Sequence, residues 1–513
     1  MGSSIRGVTY YLNMRLRSAS CLFCLFAACV LSGAARGELT FTCFPANEAT
    51  GVTPDTHLVL TFSSPPTLSK SGQIRIYDAA DHHVVDTLDL SVPAGPDPSR
   101  RIAAPATVTV LDPAVPTSPT TTTPAVRTTP ADLHNYQLTT IGGLADFHFY
   151  PVIIHGNVAT IYPHNNVLRY NRRYKVEIDS GVFAGLTTEH GWSFTTRPAP
   201  PPADTTRVVV AADGGGDFST VQGAVDFVPD NPSKRVTIFI RNGTYEEIVF
   251  FRSKANLTFR GEDRDKVQVG YGNNSAFNPP QPGPNRRCAF SAYDSTGIEF
   301  INFTVSNSFF GQAEGLLIYG SKNIVSHMTI KGSGDALNLR GSVYLVDSTI
   351  VGDGDTILGV GPAFFLRCEI QSVGPFMWIR NADANHGNVF VDCAFTSIDR
   401  PLRWRSPSAP IQVSKVLARL PNNHGIHYPY AEAVLIRCRL KGVPPAGWGP
   451  IDGDTSHIHF WEFHSTDADG GPVDVSQRHP VSKQLTEPGD AQTIANYSDP
   501  AFVLGGWTPV VGQ

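Results

Sequence analysis

From Val208 onward, short apolar runs alternate with polar turn residues and recur at a nearly constant interval. The segments GIEFINFTVSN, NIVSHMTIKG, SVYLVDSTIVG, AFFLRCEIQS, GNVFVDCAFTS and AVLIRCRLKG are versions of one strand followed by one turn. Their last apolar residues are Val305, Ile330, Ile350, Ile370, Phe395 and Leu440, at spacings of 25, 20, 20, 25 and 45. The last interval reads as two turns plus a loop. A second column runs through Leu316, Leu337, Ile357 and Trp378 at 21, 20 and 21. Two columns that keep one period predict stacked coils with several strands each. That pattern is a parallel β-helix, because helical solenoids repeat at longer, helix-patterned intervals. Two residues before the first column stand Phe303, Met328, Ser348, Cys368, Cys393 and Cys438, a ladder whose cysteines serve as small buried groups. The stretch Asp217 to Thr220, followed by VQGAVDFV, predicts an N-cap and a short amphipathic helix that seals the open end of the stack.

Upstream the pattern changes. HLVLTF from His57, QIRIY from Gln73 and YKVEI from Tyr174 alternate with period two, which predicts half-buried strands and a β-sandwich over 38–197. A Pro/Thr-rich insert from about Ala103 to Pro130 reads as a loop. Residues 198–207, with Pro198, Pro200, Pro201 and Pro202, read as a stiff linker to a β-helix domain over 208–513. At the N-terminus, Arg15 and Arg17 precede an apolar run from Cys21 to Leu31 and the small residues Ser32 to Ala35. This is the pattern of an export signal over 1–35, and the run is too short for an ordinary membrane-spanning helix. The expectation is a soluble monomer outside the cytoplasm, secreted or held in the periplasm or at the cell surface, with no integral membrane segment.

Composition narrows the function. The 46 Gly and 40 Pro among 513 residues fit a turn-rich, all-β chain. A net charge of -5 and the lack of a basic stripe argue against a nucleic-acid partner. Signal removal leaves Cys43, Cys288, Cys368, Cys393 and Cys438, an odd set without CxxC. Neither a disulfide framework nor a thiolate metal site is indicated, and free thiols are expected.

Candidate chemistry follows from the period. Asp335 in GSGDALNL and Asp355 in GDGDTILG are 20 residues apart, one coil, so their carboxylates should be neighbours on one face. Adjacent carboxylates cannot both ionise easily; one becomes an acid and the other stays a nucleophile or base. Gln312, 23 residues before Asp335, could donate an amide hydrogen bond to an oxyanion. The competing reading is that aspartates beside glycine simply make turns.

Further motifs carry a resemblance. VVVAADGGGDFSTVQGAVDFVP, TIFIRNGTYEEIV, NLTFRGED, PPAGWGPI, FWEFHSTDADGGP and ANYSDPAFVLGGWTP occur in the order found in pectin methylesterases. Residues 208–509 resemble the catalytic domain of that family, carbohydrate esterases built on a right-handed parallel β-helix. The resemblance implies an exported enzyme that hydrolyses methyl esters of pectin to pectate and methanol, with no metal or cofactor. It assigns Gln312 (in QAEGL) as oxyanion donor, Asp335 (in GDAL) as general acid/base, Asp355 (in DTILG) as nucleophile and Arg419 (in LARLP) as its cationic partner. The family's second glutamine is replaced by Gly334, and the tryptophan of its LGRPW segment by Pro421. Trp378 and Trp404 are the candidate sugar-stacking residues in compensation. A polyuronate lyase on the same scaffold, or a non-catalytic polysaccharide-binding protein, are the alternatives. Residues 38–197 resemble the bacterial Ig-like domain of surface-layer proteins through FPANEATGVTPDTHLVLTFSSP, ATIYP, NRRYKVEIDSGV and WSFTTRP. That resemblance implies a spacer or attachment module.

Overall fold

Alternating apolar residues of the first region build two sheets of opposed buried faces. One sheet has the order Phe41–Phe44, Leu58–Phe62, Val158–Ile161, Val152–His155; the other joins Ala49–Val52, His190–Thr196, Arg173–Ile178, Gln73–Asp78 and Val84–Asp89. All pairs are antiparallel except that of Ala49–Val52 with His190–Thr196. Leu58, Leu60 and Ile161 from one sheet meet Ile74, Val176 and Phe194 from the other in a shared core, so the region is a sandwich. The computed structural model describes residues 39–99, 135–187, 189–281, 283–400, 414–423 and 425–512. The export signal expected over 1–35, the insert at 103–130 and Trp404 lie outside the described residues. Among the described residues, no helix is long and apolar enough to cross a membrane.

From Arg207 on, every paired strand runs parallel to its neighbours in a fifteen-stranded and an eight-stranded sheet, which together wind as a parallel β-helix. The first column predicted from sequence is the register of the smaller sheet: Val305, Ile330, Ile350, Ile370, Phe395 and Leu440 pair in succession. Leu440 pairs directly with Phe395, so the 45-residue interval is one coil carrying a long excursion and not two turns. The second column needs a correction. Leu316, Leu337 and Ile357 are followed by Met377, while Trp378 pairs with Leu358. Side chains alternate across a strand, so the one-residue difference turns Met377 into the core and Trp378 to the outer face.

The turn before each first-column strand is made by one left-handed residue per coil. Asn302, His327, Asp347, Arg367, Asp392 and Arg437 all have φ between 50 and 63°. Among the described residues the cysteines are free, and their ladder supplies more than bulk. Cys393 Sγ accepts a hydrogen bond from the Cys368 backbone N–H (3.3 Å), as Ser348 Oγ does from Met328 (3.1 Å) and Met328 Sδ from Phe303 (3.4 Å). Each side chain satisfies an amide of the preceding coil.

The predicted cap is present: Thr220 caps the helix Val221–Phe227 by accepting from Gly223 N at 3.0 Å. The sandwich takes part in this cap. Asp55 Oδ2 accepts from the backbone of Ser219 (2.9 Å) and Thr220 (2.8 Å) and from the Thr220 hydroxyl (2.9 Å). With the Arg286–Asp146 ion pair (2.7 Å) and the mixed cluster of Ile141, Phe147, Phe250 and Phe277, the sandwich is docked along the coil stack.

At the other end, the helix Ala491–Tyr497 lies on the outer face of the stack through Ile494, Tyr497 and Val434. A buried carboxylate fastens it. Glu432 receives hydrogen bonds from His386 Nδ1 (2.9 Å), His459 Nδ1 (2.9 Å) and the Tyr497 hydroxyl (2.6 Å). Burial alone would push this carboxyl up, but the three donors outweigh it and hold it down at about 2. A depressed folded-state value stabilises the fold above the ordinary glutamate range and is lost as the pH falls toward 2. Glu432→Gln is therefore expected to lower unfolding free energy by about 2–4 kcal/mol at neutral pH. The deficit should shrink below about pH 4. Urea unfolding of both chains at pH 7 and pH 3 checks this, and an equal deficit at both would contradict it.

Candidate active site

One face of the stack is formed by Val249–Arg252, Phe290–Thr296, the first halves of Leu316–Ser326 and Leu337–Val346, then Ile357–Gly359 and Met377–Ile379. The apolar anchors Leu316, Leu337 and Ile357 point into the core in register. Two residues before each anchor stands a carboxylate: Glu314, Asp335 and Asp355. The Ala336 carbonyl accepts from Gly315 N (2.9 Å), and the Thr356 carbonyl accepts from Ala336 N (3.0 Å), which locks the three turns one above another. Three carboxylates thus stack at a coil spacing of about 4.8 Å.

The outer two are each held by a guanidinium. Arg419 Nε donates to Asp355 Oδ1 at 2.7 Å and its Nη2 donates to Oδ2, a two-pronged pair. Arg419 comes from the long excursion, and the parallel bridge between Ala418 and Met377 brings it alongside the stack. Asp355 sits in the left-handed region at φ 45°, an unfavourable backbone state for a non-glycine residue that surrounding contacts must maintain. On the other side, Arg287 Nε donates to both oxygens of Glu314 at 2.7 Å, and its Nη2 bonds Glu314 Oε1. The same Nη2 reaches Asp335 Oδ2 at 3.2 Å.

Asp335, in the middle, is treated differently. Burial pushes its carboxyl up to about 8, the charges of Glu314 and Asp355 add to the rise, and Arg287 and Arg380 oppose it. The site therefore holds an acid beside a carboxylate clamped by arginine.

Around this ladder, Trp378 is half-buried, with the Arg380 guanidinium 4.7 Å and the Arg419 guanidinium 5.7 Å from its ring centroid and Tyr428 edge-on at 6.3 Å. Among the described residues, Arg380 Nε and Nη2 have no hydrogen-bond partner. Ser333 donates to Asp353 Oδ2 at 2.7 Å and Arg400 holds the other oxygen, tying the turns before Asp335 and Asp355 together.

Of the residues proposed from sequence, Asp335, Asp355, Arg419 and Trp378 converge. Gln312 is exposed on the preceding turn, and its backbone carbonyl accepts from Ser275 N. It lies beside the Gly334 turn because Ala313 and Ser333 exchange backbone hydrogen bonds, both at 3.2 Å. The coil-equivalent of Asp335 is Glu314, 21 residues earlier, and not Gln312. Gly334 has a backbone reason. Its φ is +72°, and a Cβ there would lie 2.3 Å from the Gly311 carbonyl oxygen. Sequence reasoning missed Glu314, although its offset from Leu316 equals that of Asp335 from Leu337. It also missed Arg287 and Arg380, for which the period carries no signal.

Comparison with known proteins bears on the same region. Residues 207–389 match the Pectinesterase family model. The chain is 28% identical over 279 residues to "Probable pectinesterase/pectinesterase inhibitor 19" of Arabidopsis thaliana, covering 53% of this chain and 51% of that protein. It is 33% identical over 199 residues to "Pectinesterase QRT1" of Arabidopsis thaliana, covering 35% of this chain and 52% of that one. The chain thus spans about half the length of these relatives. Among solved structures, "Pectin methylesterase from Carrot" is similar with a TM-score of 0.48 and 23% identity, over 58% of this chain and 93% of that chain.

Proposed function

We propose that this chain is an exported pectinesterase, hydrolysing methyl esters of pectin or a related polyuronate to the free acid and methanol. The observation that carries this reading is the pairing of unlike carboxyl groups in consecutive coils. Asp355 is clamped by Arg419, while the half-buried Asp335 is pushed up to about 8. The family match over 207–389 and the pectinesterase relatives agree with it.

In the proposed reaction an Asp355 carboxylate oxygen attacks the ester carbonyl carbon. As the bond to the methoxy oxygen breaks, the Asp335 proton passes to that oxygen and methanol leaves. The acyl group is now on Asp355 and Asp335 is a carboxylate. Asp335 then takes a proton from water, whose oxygen attacks the acyl carbon, and the uronic acid departs with Asp355 restored as carboxylate and Asp335 as acid. Arg419 orients the nucleophile through its two-pronged pair with both carboxylate oxygens. Gln312 is the candidate donor to the oxyanion. Trp378, with the Arg380 and Arg419 guanidinium groups against its ring, is the candidate aromatic wall for a sugar ring. The docked sandwich, in this reading an Ig-like module, acts as a brace for the first coils.

The test is methanol release from methyl-esterified polygalacturonate alongside acetylated controls. Release should fall on the alkaline side as pH rises through about 8, where Asp335 loses its proton. Release of unsaturated sugars with ultraviolet absorbance, or binding without turnover of any ester, would each overturn the reading.

A further inference from the structure

We infer that Glu314 and Arg287 act together as a positioning pair for Asp335: Glu314 captures the guanidinium, and the captured guanidinium fixes the carboxyl that must give up and regain the proton. The inference rests on the ester-hydrolase reading of the same site and deepens it.

The geometry gives the reason. Three carboxylates in consecutive coils cannot all be ionised without compensation. The outer members each have a guanidinium of their own, Arg287 on Glu314 and Arg419 on Asp355. Among the described residues, the middle member has one side-chain bond, of 3.2 Å from Arg287, a group already engaged with both oxygens of Glu314. Glu314 is wholly buried, and a buried carboxylate strongly retains its partner. Asn338 Nδ2 also donates to Glu314 at 3.4 Å, holding it from the strand side.

The consequence is electrostatic. With an apolar or neutral residue at 314, Arg287 would be free to turn onto Asp335 and hold it ionised. An ionised Asp335 has no proton for the leaving methanol. Glu314 prevents this twice, by occupying Arg287 and by placing its own negative charge one coil away. The groups that act on Asp335 are Glu314 and Arg287 from the preceding coil side, Asp355 and Arg419 from the following side, and Arg380 just after the strand Met377–Ile379. Arg340, beside Asn338, acts on Arg380. Of these charges, Glu314 and Asp355 add to burial in pushing Asp335 toward its acid form, and Asp355 is committed to the nucleophile's role.

The experiment reads Asp335 directly, by carbon-13 NMR of aspartate-labelled full-length chain, with the resonance assigned through its loss in Asp335→Asn. In the wild-type chain the carboxyl should titrate well above the ordinary aspartate range; titration near 4 would overturn the inference without any variant. In Glu314→Gln, the titration and the alkaline limb of kcat should both move down by about 1–2 pH units. In the double variant Glu314→Gln/Arg287→Gln, at least half of that shift should be recovered, because the released cation is gone. Glu314→Asp, which keeps the charge, should stay near wild type. A lower melting temperature in Glu314→Gln with the titration unmoved would mean a merely structural pair and would sink the proposal. If Asp335 titrates as stated but no ester is turned over, the ester-hydrolase reading fails and the pair stands. If ester is turned over and the titration does not respond to Glu314→Gln, the pair fails and the reading stands.

Discussion

Asp355→Ala should reduce methanol release from methyl-esterified pectin by at least about a thousandfold in kcat, since the substitution removes the proposed nucleophile itself. The loss should appear in kcat more than in KM, because alanine leaves the cleft wall of Trp378 and its guanidinium neighbours in place. It also leaves Arg419 without its two-pronged partner. Asp355→Asn separates the two effects. The amide is close in shape but cannot attack a carbonyl, so it should be as inactive as alanine while keeping a hydrogen bond to Arg419. Steady-state kinetics of the three chains, with melting temperatures as a control for folding, decide the matter. Equal turnover by wild type and Asp355→Ala would remove Asp355 from the nucleophile's place.

Gly334→Gln is expected to destabilise the chain by about 2–4 kcal/mol and to give no gain in rate. From the resemblance alone the opposite would be expected, because glutamine at this position would restore a second oxyanion donor. The backbone forbids it. Residue 334 sits at φ +72°, and any Cβ would lie 2.3 Å from the Gly311 carbonyl oxygen. The turn carrying Gly311 and Gln312 has closed onto the space a side chain would need, with Ala313 and Ser333 exchanging hydrogen bonds beside it. Gly334→Ala should carry most of the same loss, which shows that the Cβ, and not the amide, is at fault. Urea midpoints and kcat for both variants test this. Unchanged stability with faster turnover in Gly334→Gln would mean that the two turns part readily.

The coil period was readable to a single residue along one column. Val305 through Phe395 pair as their spacing predicts, because one face of each short strand must be apolar to fill the stack, while the step to Leu440 is one coil and not the two its length implied. The other column slipped by one residue at its end. Trp378 and Met377 are adjacent and both apolar, so hydrophobicity could not say which faced inward; the pairing of Ile357 with Met377 does. Asp335 and Asp355 were legible by the same arithmetic, and Glu314 was legible in principle. Arg419 could be placed only through the family resemblance, since it arrives from an excursion whose return point the period does not encode.

The sequence by itself determined the stacked-coil architecture, the free cysteine ladder, the helix cap at Thr220 and the adjacency of two aspartates. These follow from local alternation and a repeat, which are properties of neighbouring residues along the chain. Only the tertiary structure decided how the charges are shared. Which carboxylate each arginine holds, why Asp335 is the one pushed up, and why Gly334 has no room for a side chain all depend on residues far apart in sequence. Coulomb interactions and close packing act through space, and no spacing along the chain encodes them.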